Sequence, residues 1–191
     1  MRKLYLARQM LCTVGCLIGL WSGASAQDTV RLADRTIQGT VKSMSPLQVV
    51  VEHLGQDTTI PVNEIRWITF QGEPAALNTA RTTLAGGRYQ DALDILNDPK
   101  KIPPEQLDRA ELKQDVEYYK AYCLAKLALG GSADIAEAGK TLVAFVQNNP
   151  GNYHYLEANE LIGDLLVAAG KYKEAETYYN TLAKTPWPDY Q

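Results

Sequence analysis

The sequence predicts an α+β chain: a small antiparallel β module followed by a row of helical hairpins. Three observations predict it. Between Asp28 and Phe70, β-branched residues recur with a period of two, and turn residues interrupt them every few positions. Beyond Pro74 the apolar period changes to three and four, the spacing of one helix face. The order Gly-x-Tyr-x-x-Ala also occurs twice, at Gly87, Tyr89 and Ala92 and again at Gly170, Tyr172 and Ala175. A short hairpin cannot bury its apolar face alone, so a recurring one implies neighbours stacked against it.

Residues 1–26 stand apart from the fold. Arg2, Lys3 and Arg8 precede an apolar run from Met10 to Trp21, and Ala24-Ser25-Ala26 supplies small residues at cleavage spacing. That is the pattern of a secretory signal peptide, cut after Ala26. The run is shorter than the roughly 20 residues of a membrane span, so no stable span is expected after cleavage. Cys16 is a poor lipidation site, because Thr13 stands where an aliphatic residue is usual and the apolar run continues past the cysteine. The expectation is a periplasmic or secreted protein that begins at Gln27. Of 19 Lys and Arg the cut removes three, leaving 16 against 22 Asp and Glu, a net charge of −6. Nucleic-acid binding needs clustered cations, so no nucleic-acid partner is expected. Cys12 and Cys16 leave with the leader. Cys123 is then alone, without an internal disulfide, and reads as a small buried hydrophobe. With 46% hydrophobic and 21% charged residues the chain is not globally disordered.

Residues 27–72 form the β module. Val30 and Leu32 lead to a turn at Ala33-Asp34-Arg35. Ile37, Gly39 and Val41 follow, then residues 47–51, a turn at 54–57, residues 58–60, a break at 61–64 and a last strand over 65–70. Five short strands in so few residues require a strongly bent sheet or an open barrel. Gly39 marks a bend where a side chain would clash. Trp67 and Phe70, or whichever of the two points away from the barrel, are expected to pack on the following helices. This order, with Ile37-x-Gly39-x-Val41 and Ile60-Pro61-x-x-x-Ile65, resembles the Sm-like family over residues 28–72. The resemblance implies a small five-stranded antiparallel β barrel. That family's first helix has no room before Asp28, and its RNA-contacting residues have no counterpart here, so the resemblance carries fold and not activity.

Residues 73–191 form the helical module. Gly72-Glu73-Pro74 is a hinge, with helices expected over 75–85 and 88–97. A proline-rich break over 98–104 precedes a long helix over 105–129. Gly130-Gly131 closes it, and Ser132 is a good N-cap for the next helix, which carries Ile135, Ala138, Leu142, Phe145 and Val146. After Asn148-Asn149-Pro150-Gly151, residues 156–169 form a helix stopped by Gly170. The last helix is expected to carry Tyr172, Ala175, Tyr178 and Tyr179 on its inner stripe. This module resembles the tetratricopeptide repeat (TPR) family. Ile162-Gly163 matches its first-helix signature, and Ala92, Ala138 and Ala175 fall at the small residue of its second helix. Pro150 and Pro186 stand near repeat ends. The spacings between those alanines exceed the family's period, which an insertion over 99–104 and longer helices account for. The resemblance implies an all-α helical-hairpin solenoid. The array looks cut off in mid-repeat, so the chain reads as incomplete at its C-terminus. Either the apolar side of Tyr178, Tyr179 and Leu182 is covered by something else, or Trp187 folds back as a cap.

The sequence holds no recognisable catalytic set. His53 and His154 have no Cys, His or carboxylate at metal-ligand spacing, so no metal is expected. No glycine-rich phosphate loop or nucleophile elbow occurs, and no cofactor is implied. One stripe carries a binding expectation: Glu157, Glu160 and Asp164, three and four apart, lie on the helix that in the repeat family lines the concave groove. They would suit a basic peptide or tail, or form an ordinary solvated face near a helix N-terminus. The reading is a non-enzymatic, exported scaffold that binds an envelope protein. Its rivals are a self-associating structural protein and an accessory module of a separate enzyme.

Overall fold

The computed structural model describes residues 27–187. Residues 1–26, over which a signal peptide is expected, and residues 188–191 lie outside them. The described chain is α+β, with five strands followed by six α-helices.

The strands are β1 (Asp28–Leu32), β2 (Thr36–Met44), β3 (Gln48–His53), β4 (Gln56–Pro61) and β5 (Ile65–Thr69). They form one antiparallel sheet in the order β4-β3-β2-β1-β5. β4 and β5 are its two edges, so the sheet does not close into the expected barrel. A 3₁₀ turn at Val62–Glu64 separates them and sends β5 across to β1, where Val30 faces Ile68. The outer edge is polar: Gln56, Asp57, Thr58 and Thr59 are exposed, so leaving it unpaired strands little apolar surface. The sheet bends at register shifts between Arg31 and Leu32 and between Val41 and Ser43. Gly39 lies against β3, where an added Cβ would strike the Glu52 carbonyl oxygen. The β3–β4 hairpin turns on Leu54 (φ 51°) and Gly55 (φ 77°), between the paired residues His53 and Gln56.

The helices are α1 (Ala75–Ala85), α2 (Tyr89–Asn97), α3 (Ala110–Leu129), α4 (Ile135–Asn148), α5 (Tyr155–Ala168) and α6 (Tyr172–Leu182). Each packs on the next, and α3 also touches both α1 and α5. All three hairpin turns use one device. Arg88, Ser132 and Lys171 donate their N–H back to Thr83, Leu127 and Leu166, and Gly87, Gly131 and Gly170 donate to Leu84, Ala128 and Val167. Those glycines have φ of 75°, 77° and 74°. This is the Schellman stop, whose left-handed residue is cheapest as glycine.

Three local expectations are corrected. The long helix starts at Ala110 rather than 105, because Pro104–Gln106 is a 3₁₀ turn and Arg109 stays extended to reach Asp28. Ser132 is consumed in the Schellman stop, and Asp134 is the N-cap of α4, its Oδ1 accepting from the Glu137 N–H at 2.7 Å. Tyr172 is 69% exposed instead of lying on an inner stripe. Its counterpart Tyr89 rests on Tyr122 of α3, ring centres 6.2 Å apart, whereas no helix follows α6 among the described residues.

Ala92, Ala138 and Ala175 are buried, and an added Cβ on Gly163 would lie 2.6 Å from the Tyr179 ring. Cys123 is buried and free, and burial pushes its thiol up to about 12.

One apolar core runs from Val30 and Ile68 through Phe70 and Leu77 to Leu142 and Leu165, so sheet and helices share it. Asp28 fastens the two. Buried at the start of β1, it accepts from the N–H groups of Val41 (2.9 Å) and Gln71 (2.8 Å) and from Arg109 Nη1 (2.6 Å). The Arg109 guanidinium also lies over Phe70, 4.9 Å from the ring centre. Phe70 is therefore the aromatic that packs inward on the helices, while Trp67 stays half-buried under Arg31.

Candidate functional site

A groove of about 440 Å³ lies where α1, α3 and α5 meet β5. Its sheet side carries Ile65, Arg66 and Trp67; its helical walls carry Leu84, Tyr122, Glu157 and Glu160. Trp187, half-buried, turns back onto the same lining, while Leu182 is buried and Tyr178 and Tyr179 are half-buried.

Beneath the groove runs a buried polar chain. Gly72 (φ 80°) turns the hinge so that Glu73 caps its own turn, its Oε2 accepting from Phe70 N–H at 3.1 Å. The same carboxylate takes both ends of the Arg81 guanidinium, at 2.7 and 3.0 Å. Arg81 Nη2 donates also to Asp115 Oδ2 at 2.7 Å, and Arg81 lies 5.3 Å from the centre of the Tyr119 ring. Asp115 Oδ1 accepts from the Tyr153 hydroxyl at 3.1 Å and faces His154 Nε2 at 3.5 Å. His154 Nδ1 faces Glu157 Oε2 at 3.4 Å. Asn152 sets this geometry, because its Oδ1 accepts from the His154 N–H at 2.8 Å and turns the ring inward ahead of α5. The ring stacks on Tyr118, with centres 3.6 Å apart and planes 13° apart, and leans on Tyr153 at 3.9 Å.

The charges settle each other. Burial alone would raise the Asp115 carboxyl, but His154 and Arg81 outweigh it and hold the group below its ordinary range. Burial alone would lower the His154 imidazole, yet the neighbouring carboxylates of Asp115 and Glu157 raise it. Glu73 moves the other way: desolvation pushes it up and Arg81 offsets that only in part. Glu157 is held low against its desolvation by His154, whereas Glu160 is raised by burial and by the like charges of Asp164 and Glu157.

Of the three expected groove residues, Glu157 and Glu160 come together on the wall. Asp164, one turn further, is instead tied to the neighbouring helix, its Oδ1 accepting from the Tyr179 hydroxyl at 2.7 Å. The buried chain of Arg81, Asp115 and His154 escapes sequence reasoning. Its one sequence signal is a charged side chain set among apolar helix positions at Arg81 and Asp115. Among the described residues no group of three or more His, Cys, Asp and Glu is arranged to hold a metal ion, and no helix is long and apolar enough to cross a membrane. Compared with protein-family models, with curated proteins and with solved structures, the chain has no match in any of the three.

Proposed function

We propose that this chain is an exported, non-enzymatic adaptor, a TPR-like array whose groove holds a basic, extended segment of an envelope partner. One observation carries the reading. Glu157 and Glu160 stand on the helical wall with Tyr122 and Leu156, in a groove that Trp67 lines from the sheet side, and among the described residues neither pairs with a lysine or arginine. Two carboxylates next to aromatic faces offer a cation both charge and a π-surface. The three identical turns and the buried alanines of the second helices support the repeat part of the reading.

A photo-cross-linking residue in place of the exposed groove residue Ala85 tests it in the intact envelope. A defined adduct is expected that falls several-fold when Glu157 and Glu160 are both changed to Gln. The same probe at Lys173, on the outer face of α6, gives none. Equal capture from both faces would defeat the adaptor reading.

Self-association is the second reading, and Tyr172 favours it. Tyr89 seats on the following hairpin, and Tyr172 presents the same position bare. Light scattering of the purified protein over a hundredfold concentration range separates the two readings.

A further inference from the structure

His154 lies between two carboxylates, with Asp115 on one ring nitrogen at 3.5 Å and Glu157 on the other at 3.4 Å. Nδ1 is within hydrogen-bond distance of Glu157, while Nε2 is buried at ion-pair distance from Asp115 without a hydrogen-bond partner, so both carboxylates act on the ring by favouring the imidazolium. The two carboxylates differ in access. The Asp115 side chain is 0% exposed and Glu157 is 48% exposed. Asp115 is held by Arg81 and Tyr153, and no ligand reaches it. Glu157 stands on the groove wall, where an incoming group can take it.

We propose that His154 couples the groove to solution pH: a cation that engages Glu157 displaces the His154 proton to solvent. The inference rests on the groove being a site for a basic segment. A ligand ammonium or guanidinium at Glu157 withdraws the carboxylate's interaction from Nδ1 and adds a positive charge nearby. Both effects favour the neutral ring. Linkage is reciprocal, so the protein binds the cation more tightly as pH rises through the His154 titration.

The groups around the ring set the size of the effect. From α3 come Asp115, Tyr118 and Tyr119; from the turn before α5, Tyr153; from α5, Glu157. Arg81 of α1 acts through Asp115 and the face of Tyr119, and Glu73 of the hinge balances Arg81. Glu160 and Lys126, which lies 5.3 Å from the centre of the Tyr122 ring, act on Glu157. The tyrosines are neutral near neutral pH, and burial raises the hydroxyls of Tyr118, Tyr119 and Tyr153 further. The proton therefore moves at His154.

Two measurements on the purified protein test this. Outside the leader the chain holds only His53 and His154, so proton NMR resolves two imidazole titrations, assigned with a His53→Gln variant. Glu157→Gln is expected to lower the His154 midpoint by one pH unit or more, and Glu160→Gln by much less. Calorimetry with a blocked hexalysine peptide, in phosphate and in Tris, then counts protons. Near one proton is expected to leave per complex where His154 starts protonated, with affinity rising up to tenfold per pH unit across its titration. An unchanged His154 midpoint in Glu157→Gln overturns the coupling whether or not the peptide binds. Binding that needs Glu157 and Glu160 yet releases no proton overturns the coupling and leaves the groove reading standing. No binding of hexalysine, with the NMR shift intact, overturns the groove reading and the coupling with it.

Discussion

Arg81 and Asp115 meet at 2.7 Å with side chains 1% and 0% exposed. They lie 34 positions apart and join α1 to α3, while Glu73, accepting from both terminal nitrogens of the guanidinium, joins the hinge to both. A buried pair is weak evidence of stabilisation by itself, because desolvation offsets its attraction. Breaking it is another matter, since the surviving charge is left in the core.

Asp115→Ala is therefore expected to lower the unfolding free energy by about 3–5 kcal/mol. Glu117→Ala, exposed on the same helix, should change it by less than about 0.5 kcal/mol. Urea denaturation of both variants reads the difference, and equal midpoints would contradict the buried network.

The same network sets a pH profile. His154 has a raised pKa in the folded state, so its contribution is fully present below the unfolded value of about 6.5 and is lost as pH rises through the folded value. Asp115 has a lowered pKa, so its contribution is present above the unfolded value of about 3.9 and is lost as pH falls through the folded one. The difference in stability between the parent and His154→Phe isolates the first of these. It should be largest below pH 6.5 and shrink on the alkaline side, as followed by urea midpoints from pH 5 to 9. A difference that grows with pH would reverse the assignment.

The α5–α6 seam is closed by small residues. Ala175→Leu and Gly163→Ala are each expected to cost about 1–3 kcal/mol by overpacking, the second because its Cβ meets the Tyr179 ring. Lys173→Leu, pointing outward, should change little. Tyr179→Ala should relieve the Gly163→Ala penalty in a double-mutant cycle of melting temperatures. Independent effects in that cycle would count against the seam.

Leu54 holds a left-handed backbone (φ 51°) at a hairpin tip and is 89% exposed. Two-residue hairpin loops with both residues at positive φ favour Asn-Gly, and a leucine there carries roughly 1–2 kcal/mol of strain. Leu54→Asn should therefore stabilise the protein by about 1 kcal/mol, seen as a higher thermal midpoint. A loss of stability would mean that the leucine side chain makes contacts that matter.

What the sequence determined by itself is local. Period-two runs place the five strands, and the glycines at 87, 131 and 170 place the hairpin stops, because backbone conformation there follows from single residues and their neighbours. Helical spacing likewise puts Glu157 and Glu160 on one face. The tertiary structure decided everything that depends on partners far away in the chain. β5 pairs with β1 and leaves the sheet open. Arg109 stays extended, delaying α3, because Asp28 waits 81 positions earlier. Tyr172 is bare where Tyr89 has α3 to rest on, since no helix follows α6 among the described residues, and Asp164 turns from the groove to Tyr179. His154 carries no sign of its role in its own neighbourhood: its i+3 partner Glu157 is visible in sequence, but Asp115 and Arg81 reach it only when three helices close around one low-dielectric core. Burial by itself disfavours the charged imidazole; the carboxylates of Asp115 and Glu157 raise it against that cost, and their approach is a property of the packed chain.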